Sequence, residues 1–242
     1  MFPFSNTPLA YSRPRRLVTA GELLVGGLLL LAVGLMTSGV ITGPLNWTVA
    51  LGLYAIISGL ALIYWPYGAL GWANRVTLLR AVMVALVAGG LIAGAFSDAI
   101  WQWLLIAVTA LLLDGVDGWV ARYTRSHSTF GARFDMELDA LLIMLLCIGL
   151  WQLEPLGVWV LLIGGMRYGF IIAGLRFSWL MAPLFASFRR KAVCVWQVTA
   201  LLLALTPLTS PVAASVLAFS ALISLAYSFG YDVWWLYRQA HI

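Results

Sequence analysis

Five of the nine acidic residues in this 242-residue chain, Asp114, Asp117, Asp135, Glu137 and Asp139, crowd into the stretch DGVDGWVARYTRSHSTFGARFDMELD. Carboxylates gathered at the ends of apolar helices repel one another and resist desolvation, so the cluster calls for a cation among them, and a divalent metal is the expected one. Asp114 and Asp117 stand three apart and Asp135 and Asp139 four apart, spacings that put each pair on one helical face, about 5–6 Å along the axis. A hairpin of the two helices brings four carboxylates together. Gly118 and Gly131 remove side chains where a ligand would approach backbone, and Arg122 offers a charged fork to phosphate. Together these residue types describe a site for a diphosphate and its metal ions.

The elements that carry this site belong to a membrane. With 63% apolar and 10% charged residues and a mean hydropathy of +0.98, a water-soluble globular domain is excluded. Eight apolar runs are long enough to read as spans: Leu23–Ile41, Trp47–Trp65, Val76–Phe96, Trp101–Leu113 running on into the acidic stretch, Phe134–Leu153, Leu156–Leu175, Val193–Leu208 and Val212–Tyr231. Gly43, Pro44 and Asn46 read as a turn, Pro66 and Tyr67 as the close of the second span, and Asn74-Arg75 as the end of a connector. Glu154-Pro155 reads as another turn. The connector Arg176–Lys191 mixes aromatic and basic groups and suits a membrane surface. The tail from Asp232 reads as an interfacial anchor through Trp234, Trp235, Tyr237 and Arg238. The first run is too long for a signal peptide and is expected to be retained. The fold class is therefore all-α, a polytopic membrane bundle.

Loop charges give that bundle an orientation. If the N-terminus is cytoplasmic and eight helices alternate, Arg13, Arg15, Arg16, Arg75, Arg80, Arg122, Arg125, Arg133, Arg176, Arg189, Arg190, Lys191 and Arg238 all fall at or near the cytoplasmic side. The opposite connectors, around Asn46, Asp98, Glu154 and Ser210, carry no Lys or Arg. Both termini and the acidic stretch then face the cytoplasm, in what reads as a bacterial inner membrane. The net charge of +5 is explained by this asymmetry and needs no nucleic-acid partner. Cys147 and Cys194 lie in apolar runs without metal-ligand spacing and read as inert buried thiols.

The set Asp114, Asp117, Gly118, Ala121, Arg122, Gly131, Asp135 and Asp139, at these spacings, resembles the signature of the CDP-alcohol phosphotransferases at every fixed position. Upstream, Asn74-Arg75-Val76-Thr77-Leu78-Leu79-Arg80 is similar to the segment that opens the family's first core helix, with Ala73 where proline is usual. The resemblance implies a six-helix core over residues 71–242, with residues 1–70 adding two transmembrane helices. It implies transfer of a phosphatidyl or other substituted phosphoryl group from a CDP-linked donor, foremost CDP-diacylglycerol, to an alcohol in phospholipid biosynthesis, with release of CMP. Asp114, Asp117, Asp135 and Asp139 would hold two divalent ions, Mg2+ or Mn2+. Asp114, Asp117, Gly118, Ala121, Arg122, Gly131 and Asp135 would bind the cytidine diphosphate, and Asp139 would be the general base. It also implies a homodimer.

Outside the signature, Arg167 interrupts its span, and an ionisable group there is expected to face a cavity or partner. Arg167, Arg189, Arg190, Lys191 and Arg133 are the candidates for acceptor or lipid-phosphate binding, although snorkelling and positive-inside anchoring are the favoured explanation of Arg190 and Lys191 and not of Arg167. His127 reads as loop decoration, Glu137 points to another face, and Asn74 and Thr77 read as packing or capping groups. Two other classes compete. Within the resemblance, transfer from a CDP-alcohol to diacylglycerol is the alternative direction. A membrane scaffold or ion-coupled transporter is the non-enzymatic alternative, but transporters place carboxylates near the midplane on broken helices, whereas these lie at one edge.

Overall fold

A computed structural model describes residues 13–65, 68–124, 128–153, 156–182 and 187–240. Among them every regular element is helical: α1 (Arg13–Met36), α2 (Pro44–Tyr64), α3 (Gly71–Gly90), the short α4 (Ala95–Asp98), α5 (Ile100–Thr124), α6 (Thr129–Gln152), α7 (Leu161–Arg176), α8 (Phe188–Ala204) and α9 (Pro211–Ala240), with three short 3-10 turns. The readings of Pro66, Tyr67, Arg125, His127, Glu154 and Pro155 lie outside the described residues, as do the side chains of Ala121 and Arg122.

Six stretches are long and apolar enough to cross a bilayer: Arg15–Met36, Pro44–Tyr64, Gly71–Gly90, Ile100–Val120, Val158–Arg176 and Pro211–Ala240. The chain is thus an integral membrane protein of helical architecture, with six such candidates where the sequence suggests eight. The difference has a physical origin. α6 carries Arg133, Asp135, Glu137 and Asp139 near its start, and α8 is 17 residues long with Arg189, Arg190 and Lys191 in its first turn. At about 1.5 Å per residue α8 falls short of a hydrocarbon core of about 30 Å.

The described residues form two compact units, one within Phe4–Leu142 and one within Ile143–Ile242. The first is built around α3. In α3, 83% of the apolar window is buried, against 28, 22 and 33% in α1, α2 and α5, so α3 is the central helix and the others surround it. α1 and α2 hold both of its ends. At the start, Glu22 on α1 accepts from the Leu70 backbone N–H at 2.7 Å and from Arg75 at 2.6 Å. Nearby, Thr19 donates to the Gly68 carbonyl at 2.6 Å. Gly68 and Gly71 turn the chain into α3 with φ of +84° and +77°, a region that favours glycine.

At the far end the buried Asn46 on α2 donates to the carbonyls of Gly89, at 2.9 Å, and Ile92, at 3.1 Å. Gly89 is in the last turn of α3 and Ile92 opens the 3-10 turn that follows it, so one amide ties the end of the helix to the bend beyond it. Asn46 therefore lies inside α2, with Pro44 in the first turn, and not in a turn as its sequence suggests. The third span likewise stops short of Phe96: α3 ends at Gly90, and the chain bends through Ala93 and Gly94 at positive φ. A Cβ at Gly89 would lie 2.9 Å from the Asn46 carbonyl oxygen, so α2 packs against glycine backbone there. Trp103 on α5 donates to the Val87 carbonyl at 2.9 Å, and Tyr54 on α2 to that of Leu23 at 2.6 Å.

In the second unit α8 packs chiefly on α9. Arg189 donates to the Ser228 carbonyl at 3.0 Å and to Asp232 at 2.5 Å, and lies 4.3 Å from the centre of the Tyr231 ring. Asp232 is buried. It is thus part of α9, which runs unbroken to Ala240, where the sequence suggests a separate tail.

Candidate active site

The acidic stretch forms two helices. α5 continues through Asp114 and Asp117 to Thr124 without a break at Gly115 or Gly118. α6 starts at Thr129, and its cap explains Gly131: the Ser128 hydroxyl accepts from the Gly131 backbone N–H at 2.9 Å, a cap on the third helical residue. A Cβ at Gly131 would sit 2.8 Å from Asn74 Oδ1 and 2.9 Å from Ser128 Oγ. A glycine there thus lets α6 start against Asn74 of α3. Phe134 and Leu138, on the flank of α6 beside the aspartates, pack with Leu53 and Ile57 of α2 and Ala81 of α3.

Asp114, Asp117, Asp135 and Asp139 converge on a single side chain, Arg80 of α3. Its Nη1 donates to Asp114 Oδ1 at 2.8 Å and to Asp135, and lies 3.6 Å from Asp117 Oδ2. Its Nη2 donates to Asp139. The Arg80 side chain is 0% exposed, whereas those of Asp114, Asp135 and Asp139 remain 30–35% exposed. The cluster is therefore sealed on the α3 side and open on the other. Asp117 is the buried member, and Thr77, one turn before Arg80, lies with its hydroxyl 3.1 Å from Asp117 Oδ2 and 3.1 Å from the Ala73 carbonyl. Asn74 donates to the Leu70 carbonyl at 2.8 Å.

Arg80, counted in the sequence only among the charges at or near the cytoplasmic side, is the buried centre of the acidic cluster. Thr77 likewise does more than pack, because it reaches Asp117. The signal was available: Arg80 interrupts an apolar run just as Arg167 does, and a charge in such a run faces a partner. Asn74, Thr77 and Arg80 also recur at the three-residue spacing of one helical face.

The donor set suits a hard divalent cation. One oxygen from each of Asp114, Asp135 and Asp139 lies within 4.8 Å of the others, a spread that a six-coordinate ion with bonds of about 2.1 Å can bridge. All donors are carboxylate oxygens, the ligands that Mg2+ and Mn2+ favour. The site already attracts positive charge, since one guanidinium faces four carboxyl groups.

The other sequence candidates fall as follows. Gly118 is partly buried on α5, and Arg133 is exposed on α6. Arg167 on α7 and Arg189, Arg190 and Lys191 on α8 belong to the second unit. There Arg189 pairs with Asp232, Arg190 lies 3.8 Å from it, and Lys191 is exposed.

No curated protein and no solved structure matches the chain. Residues 70–230, about two-thirds of the chain and including all four aspartates with Arg80, match the description CDP-alcohol phosphatidyltransferase. An all-helical membrane protein whose carboxylates converge from two successive helices, matched over that length, belongs to the CDP-alcohol phosphatidyltransferase family of enzymes that transfer substituted phosphate groups.

Proposed function

We propose that this protein transfers the phosphatidyl group of CDP-diacylglycerol to the hydroxyl of an alcohol, releasing CMP, as a step in phospholipid synthesis. The observation that carries this reading is the convergence of Asp114, Asp117, Asp135 and Asp139 on one point with three of them partly open to ligand. In this reading the four aspartates hold two divalent ions, Mg2+ or Mn2+, which when bound offset charge on the phosphoryl oxygens.

The chain's own residues supply the rest. Asp114, Asp117 and Asp135, with Gly118, Ala121, Arg122 and Gly131, hold the cytidine diphosphate. The acceptor oxygen forms a bond to the phosphorus that bears diacylglycerol, and the bond from that phosphorus to the bridging oxygen breaks. CMP leaves with the bridging oxygen. Asp139, partly exposed in the cluster, takes the proton of the acceptor hydroxyl. Arg133, Arg167, Arg189, Arg190 and Lys191 are the cations proposed for phosphate of the acceptor or lipid. Residues 71–242 form the catalytic core, and the two helices before it brace α3. We place eight crossings in the membrane, with α6 and α8 as the shorter or more polar two, and the acidic site and both termini on the cytoplasmic side.

Purified protein given labelled CDP-diacylglycerol, Mg2+ or Mn2+ and a panel of alcohols is expected to form CMP and a new lipid with at least one acceptor, and to stop when EDTA is added. A product only from CDP-alcohols with diacylglycerol would reverse the assignment of donor. No product in either direction would overturn the reading.

A further inference from the structure

We propose that Arg80 is a built-in substitute for the divalent cation, a positioning residue that keeps the four carboxylates converged in the metal-free protein and gives up Asp114 and Asp135 when metal loads. The proposal rests on the reading of the aspartates as metal ligands. Three observations carry it. The three carboxylates whose oxygens form a cation cradle, Asp114, Asp135 and Asp139, are the three that accept from Arg80. Metal and guanidinium therefore draw on the same three carboxylates, and a lone-pair direction taken by an ion at about 2.1 Å is closed to an N–H at about 2.9 Å.

The second observation is that Arg80 is fixed beside the cluster. Its side chain is fully buried on the most buried helix of its unit, that helix is held at both ends by Glu22 and Asn46, and Arg80 Nε is buried without an acceptor. Among the described residues the head group is held by the aspartates alone. The third is charge. One guanidinium against four carboxyl groups leaves up to three negative charges uncompensated, enough to draw in a first divalent ion. A second ion beside the first and Arg80 would carry the site positive until an anion arrives. The anion of matching chemistry is a nucleoside diphosphate, which a guanidinium released from Asp114 and Asp135 can also meet as a charged fork. Arg80 thus makes metal loading depend on nucleotide.

The test uses full-length protein in detergent, Mn2+ binding followed by electron paramagnetic resonance, and melting temperature with EDTA or Mn2+. Arg80→Met keeps the apolar stem and removes the charge; Arg80→Lys keeps the charge. Arg80→Met, purified in Mn2+ and then stripped, is expected to melt well below wild type in EDTA and to recover most of that difference in Mn2+. It should also bind Mn2+ about tenfold or more tightly in the absence of nucleotide, since a like charge within about 4 Å of the ion is gone. In wild type, added CDP should tighten Mn2+ binding more than it does in Arg80→Met. Arg80→Lys should stay within about threefold of wild type in Mn2+ affinity, as a retained charge demands.

A purely structural arginine would give Arg80→Met the same deficit with and without Mn2+, and that result, or unchanged Mn2+ affinity, overturns the proposal alone. Wild-type protein that binds no Mn2+ with or without CDP overturns the metal reading as well.

Discussion

Arg80 and Thr77 sit one helical turn apart on α3 and meet the acidic cluster from its buried side, Arg80 on all four carboxylates and Thr77 on Asp117. Asp117 is the aspartate least reached by water, so its few polar neighbours matter most. Thr77→Val keeps the shape and removes the hydroxyl. Since a hydrogen bond to a charged group contributes about 1.5–3 kcal/mol, its loss is expected to lower the melting temperature and, by freeing Asp117 from its place in the cluster, to cut CMP release about tenfold or more below the transition; unchanged turnover would show Thr77 to be a packing residue. At this scale the four aspartates were legible in the sequence because each pair sits within one helical turn, where spacing alone decides which side chains share a face. The cation that joins them was not, because its partners lie 34 to 59 residues away and local spacing carries no information about which helices meet. Gly131 was legible as a close approach, but the groups that come close are the side chains of Asn74 and Ser128.

The helices before the core act as a clamp on α3. Glu22 takes the backbone N–H of Leu70 and the Arg75 head group near its start, and Asn46 takes two carbonyls at its end. α3 in turn carries Asn74, Thr77 and Arg80, and α2 also packs beside the site through Leu53 and Ile57, so α1 and α2 fix the site's buried wall. Asn46→Ala leaves the Gly89 and Ile92 carbonyls without that donor. It is expected to cost about 1–3 kcal/mol, read as a lowered melting temperature with CMP release preserved below the transition; an unchanged melting temperature would contradict the clamp. Apolar runs in the sequence located these helices but misjudged their ends. Hydropathy continues past Gly90 although the backbone bends at Ala93 and Gly94, and it falls at Asp232 although α9 continues, because Arg189 satisfies that carboxylate. Ends are set by partners across the fold, which a hydropathy window does not see.

At the scale of the molecule, the membrane class followed from composition alone, while the number of crossings depends on α6 and α8, whose charges serve the interface or the site as well as the span. The proposed orientation has a direct check. Ser210 and Gln239 are both exposed, at opposite ends of α9. In spheroplasts a membrane-impermeant thiol reagent should label Ser210→Cys and spare Gln239→Cys, with the wild-type chain as background; the reverse pattern would invert the topology and turn the acidic site away from the cytoplasm.

The claim on which the rest depends is that the acidic cluster moves a phosphatidyl group with Asp139 as its base. The rate of CMP release from CDP-diacylglycerol in Mg2+ or Mn2+, compared between wild type and Asp139→Asn of equal melting temperature, tests it most directly. The account predicts metal-dependent release by wild type and a loss of about 100-fold to 10,000-fold in the variant, the range that a positioned general base contributes. Release at the wild-type rate from Asp139→Asn would contradict it.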